Sequence, residues 1–96
     1  MPSGFVYMLA GKRNGTLYIG VTSDLHGRIE AHRLGTGSKF VKKYGVRRLV
    51  WYEEFPLYVD AIQRETSLKR WKRAWKIALI EKINPNWDDL LETWNA

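Results

Sequence analysis

The sequence predicts a small α/β domain of the α+β type, a three-stranded antiparallel sheet flanked by helices. Three observations carry this. Two short segments of alternating apolar residues are separated by a turn rich in glycine and polar residues. A third segment, Arg47 to Phe55, is rich in Leu, Val, Trp, Tyr and Phe and stops at Pro56. From Leu57 to Ile83 large apolar residues recur at spacings of three and four.

The elements follow in order. Gly4 to Leu9 reads as a strand, with Phe5, Tyr7 and Leu9 alternating against Val6 and Met8. Gly11 to Gly15 is a turn. Thr16 to Val21 is a second strand, with Leu17, Ile19 and Val21 on one face and Tyr18 on the other. The two strands form a hairpin. Ser23 or Asp24 caps a helix that runs to about Gly35, with Leu25, Ile29 and His32 on its apolar side. Gly35-Thr36-Gly37-Ser38 ends it, and the lysines before the third strand read as a basic loop. Leu68, Trp71, Trp75 and Leu79 mark the core side of the long helical stretch. A break is expected inside it, because its length is unusual for one helix in so small a domain. Pro85 ends the stretch, and Asp88 to Trp94 adds a short closing helix.

Composition narrows the function classes. A chain of 96 residues has a thin core, burying about 60–70% of the surface its unfolded form exposes. Five Trp, five Tyr and three Phe suit that limit, since large aromatics bury much area with few residues. There is no Cys, which excludes disulfides and thiolate metal sites. No apolar run approaches the ~20 residues that span a bilayer, and the first residues do not form a signal peptide. A cytoplasmic protein is expected. Sixteen Lys plus Arg against ten Asp plus Glu give a net charge of +6, which favours a polyanionic partner, nucleic acid being the commonest.

Candidate chemistry sits on the hairpin and the helices after it. Any hairpin loop with an even number of residues puts Tyr7 and Tyr18 on one sheet face. A loop from Gly11 to Asn14 places them directly opposite, with Cβ atoms about 4.5–5.5 Å apart. A tighter Asn14-Gly15 turn separates them along the strands, and the residues do not choose between the two. Arg28 and His32, four apart, share one helix face. An arginine can contact two phosphate oxygens at once. Glu65 stands among Arg64, Lys69, Arg70, Lys72, Arg73 and Lys76. It is either an ion-pair partner or a carboxylate for a divalent cation such as Mg²⁺, whose other ligands are water and phosphate. Trp71 and Trp75 are read as core in preference to base-stacking platforms.

The ordered set Phe5-Val6-Tyr7, Tyr18-Ile19-Gly20-Val21-Thr22-Ser23-Asp24-Leu25, Arg28, His32 and Glu65 resembles the GIY-YIG nuclease superfamily. Within it, Trp71-Lys72-Arg73-Ala74-Trp75-Lys76 and Asn84-Pro85-Asn86-Trp87-Asp88-Asp89-Leu90 look like the small stand-alone bacterial proteins related to the N-terminal nuclease domain of excinuclease. The match covers essentially the whole chain, so a single nuclease domain over residues 1–96 is expected. The first motif departs from the pattern, with Phe5-Val6 where the superfamily has Gly-Ile. A family asparagine downstream of the glutamate has three contenders here, Asn84, Asn86 and Asp88.

The resemblance implies an endonuclease that hydrolyses DNA phosphodiesters, in repair or recombination, with one divalent ion, Mg²⁺ or Mn²⁺, held by Glu65. The alternative is a nucleic-acid-binding module of the same fold with little catalysis. On the first reading Arg28 holds the non-bridging oxygens, and Tyr7 or Tyr18 helps deprotonate water while the other orients water or phosphate. His32 assists proton transfer or binds phosphate. Lys39, Lys42, Lys43, Lys69, Arg70, Lys72 and Arg73 are the candidate contacts to the nucleic-acid backbone.

Overall fold

In the computed structural model, which describes residues 3–94, the first two strands pair as expected. Strand β1 (Gly4–Ala10) runs antiparallel to β2 (Leu17–Thr22) and also to β3 (Arg48–Phe55), giving the sheet order β2-β1-β3. The central place of β1 explains its composition. A strand paired on both edges and covered on both faces needs apolar residues throughout, and Val6 to Ala10 are all buried.

The helices divide between the two faces. Helix α1 (Leu25–Arg33), α2 (Lys39–Tyr44) and α5 (Leu90–Trp94) send Leu25, Ile29, Val41 and Leu91 onto the face that carries Tyr7 and Leu9. Helix α3 (Tyr58–Lys69) and α4 (Arg73–Ile83) send Ala61, Leu68 and Ile80 onto the face that carries Val6, Met8 and Ala10. A register shift between Met8 and Leu9 inserts one extra residue in β3, so consecutive Val50 and Trp51 both enter the α3–α4 core.

Local chemistry accounts for the helix ends. Asp24 caps α1, its carboxylate accepting from the Gly27 N–H. Thr22 Oγ1 accepts from the Asp24 N–H and so fixes the turn out of β2. The lysine-bearing stretch is a helix and not the expected loop. Ser38 caps α2 by accepting from the Phe40 N–H, and Gly45 closes it at φ 65°, a left-handed position that glycine adopts without strain. The long helical stretch breaks between Lys69 and Arg73. The break turns α4 so that Trp75 lies 54% exposed, where the helical spacing places it in the core.

Asn84 resolves part of the downstream asparagine question. It is buried, donates from Nδ2 to the Val50 and Asp88 carbonyls, and accepts at Oδ1 from the Asp88 N–H. It therefore ties the end of α4 to β3. Trp87, fully buried at φ 57°, is held by its own bond to Glu81 and by Arg48 donating to its carbonyl. The Asn84 to Asp88 motif is a structural clasp.

Candidate active site

The hairpin register brings the two tyrosines to one face. Tyr7 pairs with Gly20 and Leu9 with Tyr18, so the loop is residues 11–16 and the tyrosines are diagonal neighbours. Their ring centroids are 6.3 Å apart. The missing side chain at position 20 makes the contact possible. A Cβ there would lie 2.3 Å from Tyr7 Oη and 2.4 Å from its Cζ. The glycine of the second motif is thus the seat of the tyrosine of the first.

Helix α1 closes the pocket from above. His32, fully buried, sits 5.8 Å from the Tyr7 ring and 5.4 Å from the Tyr18 ring, centroid to centroid. Its Nε2 and Tyr7 Oη are 2.9 Å apart. Its Nδ1 is buried without a partner, and a Cβ on Gly37 would lie 2.6 Å from it. An orphaned buried N–H is rarer than a bare lone pair, so the proton belongs on Nε2, which donates to Tyr7. Both nitrogens face inward, so His32 does not reach phosphate directly. Burial and then the Arg28 charge push its pKa below the ordinary histidine value.

Tyr7 is buried as deeply, and burial pushes its hydroxyl pKa well up; Tyr18 and Glu65 push the same way and Arg28 opposes them. Two charged residues from different helices therefore act on one hydroxyl. Arg28 is exposed on α1, one turn before His32. Glu65 comes from α3, which covers the other sheet face but also packs against β2. Ala61, Glu65 and Leu68 fall at i, i+4 and i+7, so the carboxylate occupies the sheet-facing stripe, and its side chain is only 16% exposed. Lys69 Nζ stands 3.5 Å from Glu65 Oε1.

The other basic residues divide. Lys39, Lys42 and Lys43 project from α2, whose Phe40 packs on Tyr18 at 5.7 Å between centroids. Arg70 and Lys72 are exposed at the α3–α4 break. Arg73 is drawn into the fold. Its Nη2 donates to the Asn14 and Gly15 carbonyls at 2.6 and 2.7 Å, pinning the hairpin loop. Neither this bond nor the Phe40 contact has a signal in the local sequence pattern.

His32 yields a pH test. Its pKa is lowered by folding, so the unfolded chain binds a proton that the native fold refuses. Stability should therefore fall as pH drops below about 6.5, the ordinary histidine value. Urea melts of wild type and His32→Gln at neutral and mildly acid pH check this. The variant should lose less stability on acidification, and an equal loss would show that His32 does not titrate across folding.

A small sheet with two tyrosines on one face, an arginine above them and a partly buried carboxylate beside them is a nuclease arrangement. The chain belongs to the GIY-YIG catalytic domain family, a nuclease family, whose model matches residues 3–78. Tyr7, Tyr18, Arg28, His32 and Glu65 all lie inside that match, and Asn84 lies beyond it. The chain is similar to UPF0213 proteins of Staphylococcus aureus strains USA300 and COL, 34% identical over 82 residues, which is 85% of this chain and 99% of theirs. It is also similar to the solution NMR structure of a UPF0213 protein from Bacillus halodurans, at 30% identity and a TM-score of 0.57, over 92% of this chain and 93% of that one. Among the described residues no helix is long and apolar enough to cross a membrane.

Proposed function

We propose that this protein is a metal-dependent endonuclease that hydrolyses DNA phosphodiester bonds, with Tyr7, Tyr18, Arg28 and Glu65 meeting substrate or metal and His32 positioning Tyr7. The observation that carries the reading is Glu65. A carboxylate on the buried stripe of a helix costs desolvation unless a cation compensates it. Lys69 is a weak compensator, since its side chain stays half-exposed.

The donor set limits the metal. Among the described residues no group of three or more His, Cys, Asp or Glu side chains could hold an ion. That does not suit zinc or calcium, which take several protein ligands. One carboxylate does suit Mg²⁺ or Mn²⁺, with water and substrate phosphate completing the shell. Held by Glu65, such an ion would supply charge neutralisation at the scissile phosphate and the leaving oxygen.

The chain's own groups do the rest. Arg28 offers a planar fork to two non-bridging oxygens and stabilises the charge that develops on them. Tyr7, kept protonated by burial, accepts from His32 and donates onward, which fixes the hydroxyl end of the pair. Tyr18 is the less buried tyrosine and accepts a hydrogen bond from the attacking water. Lys39, Lys42, Lys43, Arg70 and Lys72 are exposed and add sequence-independent affinity by releasing counterions.

Supercoiled plasmid tests the reading. Nicked circles should form with Mg²⁺ or Mn²⁺ and not with EDTA; intact plasmid under every metal condition would sink it. Binding measured in EDTA should weaken with added salt. Lys42→Gln should reduce the log–log slope by about 0.9 if that lysine meets one phosphate. Arg73→Gln should leave the slope unchanged, because its guanidinium is occupied by the hairpin loop.

A further inference from the structure

Helix α2 carries more than lysines. Phe40 and Tyr44 lie one turn apart, with centroids 4.7 Å from each other, and Phe40 also contacts Tyr18 at 5.7 Å. Together with the 6.3 Å Tyr7–Tyr18 contact, four rings form one row leading out of the candidate site. Exposure rises along it. Tyr7 is buried, Tyr18 is half-buried, Phe40 is 38% exposed and Tyr44 is 51% exposed. The core does not need the outer two rings, because Val41 already fills the inward side of α2. On the flank, Lys39 and Lys43 share a helix face, and Lys43 Nζ stands 5.3 Å from the Tyr44 centroid.

We propose that Phe40 and Tyr44 stack unpaired bases beside the cleaved phosphate, so that the substrate is single-stranded DNA at the cut and not continuous duplex. This rests on the nuclease reading above. Three chemical facts favour that occupant. No carboxylate lies on α2, while three lysines do, so the surface selects a polyanion. Aromatic rings add to such a surface only by meeting the flat face of a base. In a duplex those faces are stacked against each other, whereas an unpaired strand presents them. The row is also continuous with Tyr18, so a base on Phe40 adjoins the phosphate that Arg28 would hold.

The test separates stacking from charge. Binding of a fluorescein-labelled single-stranded oligodeoxynucleotide and of the matching duplex is measured in EDTA at one salt concentration. Wild type should prefer the single strand. Tyr44→Leu and Phe40→Leu should each weaken single-strand binding about tenfold or more and leave duplex binding unchanged. Tyr44→Trp should restore it. Tyr44 is the safer position, being the more exposed; thermal melts identify any variant whose fold is lost. Equal losses on both DNAs, or none, would overturn the proposal. If plasmid is still nicked in that case, the nuclease reading stands without the platform. If wild type neither binds nor cuts nucleic acid, both readings fall together.

Discussion

A Glu65→Gln protein should bind DNA at least as well as wild type and cut it about a hundred- to a thousandfold more slowly, the range seen when one electrostatic group is removed from an active site. Glutamine keeps the size of the side chain and its hydrogen-bonding capacity. It loses the charge that would attract a divalent ion, and it removes a negative charge from the neighbourhood of phosphate. Folding should be spared, because the lost carboxylate is mostly buried and its ion partner Lys69 is half-exposed. Single-turnover cleavage measured beside binding in EDTA keeps the two effects apart. Arg28→Ala should slow cleavage through a different loss, about 3–4 kcal/mol of transition-state stabilisation. Wild-type cleavage by Glu65→Gln at saturating metal would show that Glu65 is a structural charge and that the mechanism is wrong.

Gly20→Ala should be the most damaging small substitution in the hairpin. The added methyl would meet the Tyr7 hydroxyl at 2.3 Å and the ring carbon behind it at 2.4 Å. Tyr7 is buried and bonded to His32, so it has no free rotamer to escape into. Overpacking a core costs about 1–3 kcal/mol, and loss of a buried hydrogen bond adds about 1–3 kcal/mol. The melting temperature should then fall by roughly 10 °C or more for a domain of this size. Adding Tyr7→Phe should not rescue it, since the ring carbon still clashes. A melt within two or three degrees of wild type would refute the seating of Tyr7 on Gly20.

Most of the candidate site was legible because its signals are local. Strand alternation put Tyr7 and Tyr18 on a shared face for any even loop, and the observed register keeps that parity while shifting the pair to a diagonal. Helix spacing put Arg28 and His32 on one face. Asp24 capped its helix as its position near a helix start suggests. Trp75 went the other way. Its spacing from Trp71 matches a core stripe, but the chain breaks before Arg73 and the stripe does not carry across the break. The helix at Lys39–Tyr44 was missed because six residues are too few to display a period.

The sequence by itself determined the parts: which faces the strands present, a basic surface, a carboxylate on a helical stripe, and the ordered set of Tyr, Arg, His and Glu. Only the tertiary structure decided how they meet. Glu65 acts on Tyr7 from a helix that covers the opposite face of the sheet. Arg73 leaves the set of free cations to pin the hairpin loop. Asn84 becomes a clasp on β3. Phe40 extends the tyrosine pair toward solvent. The physical reason is range. Alternation and helical period follow from backbone geometry within a few residues, whereas these contacts join segments far apart in the chain and depend on register, helix breaks and close packing.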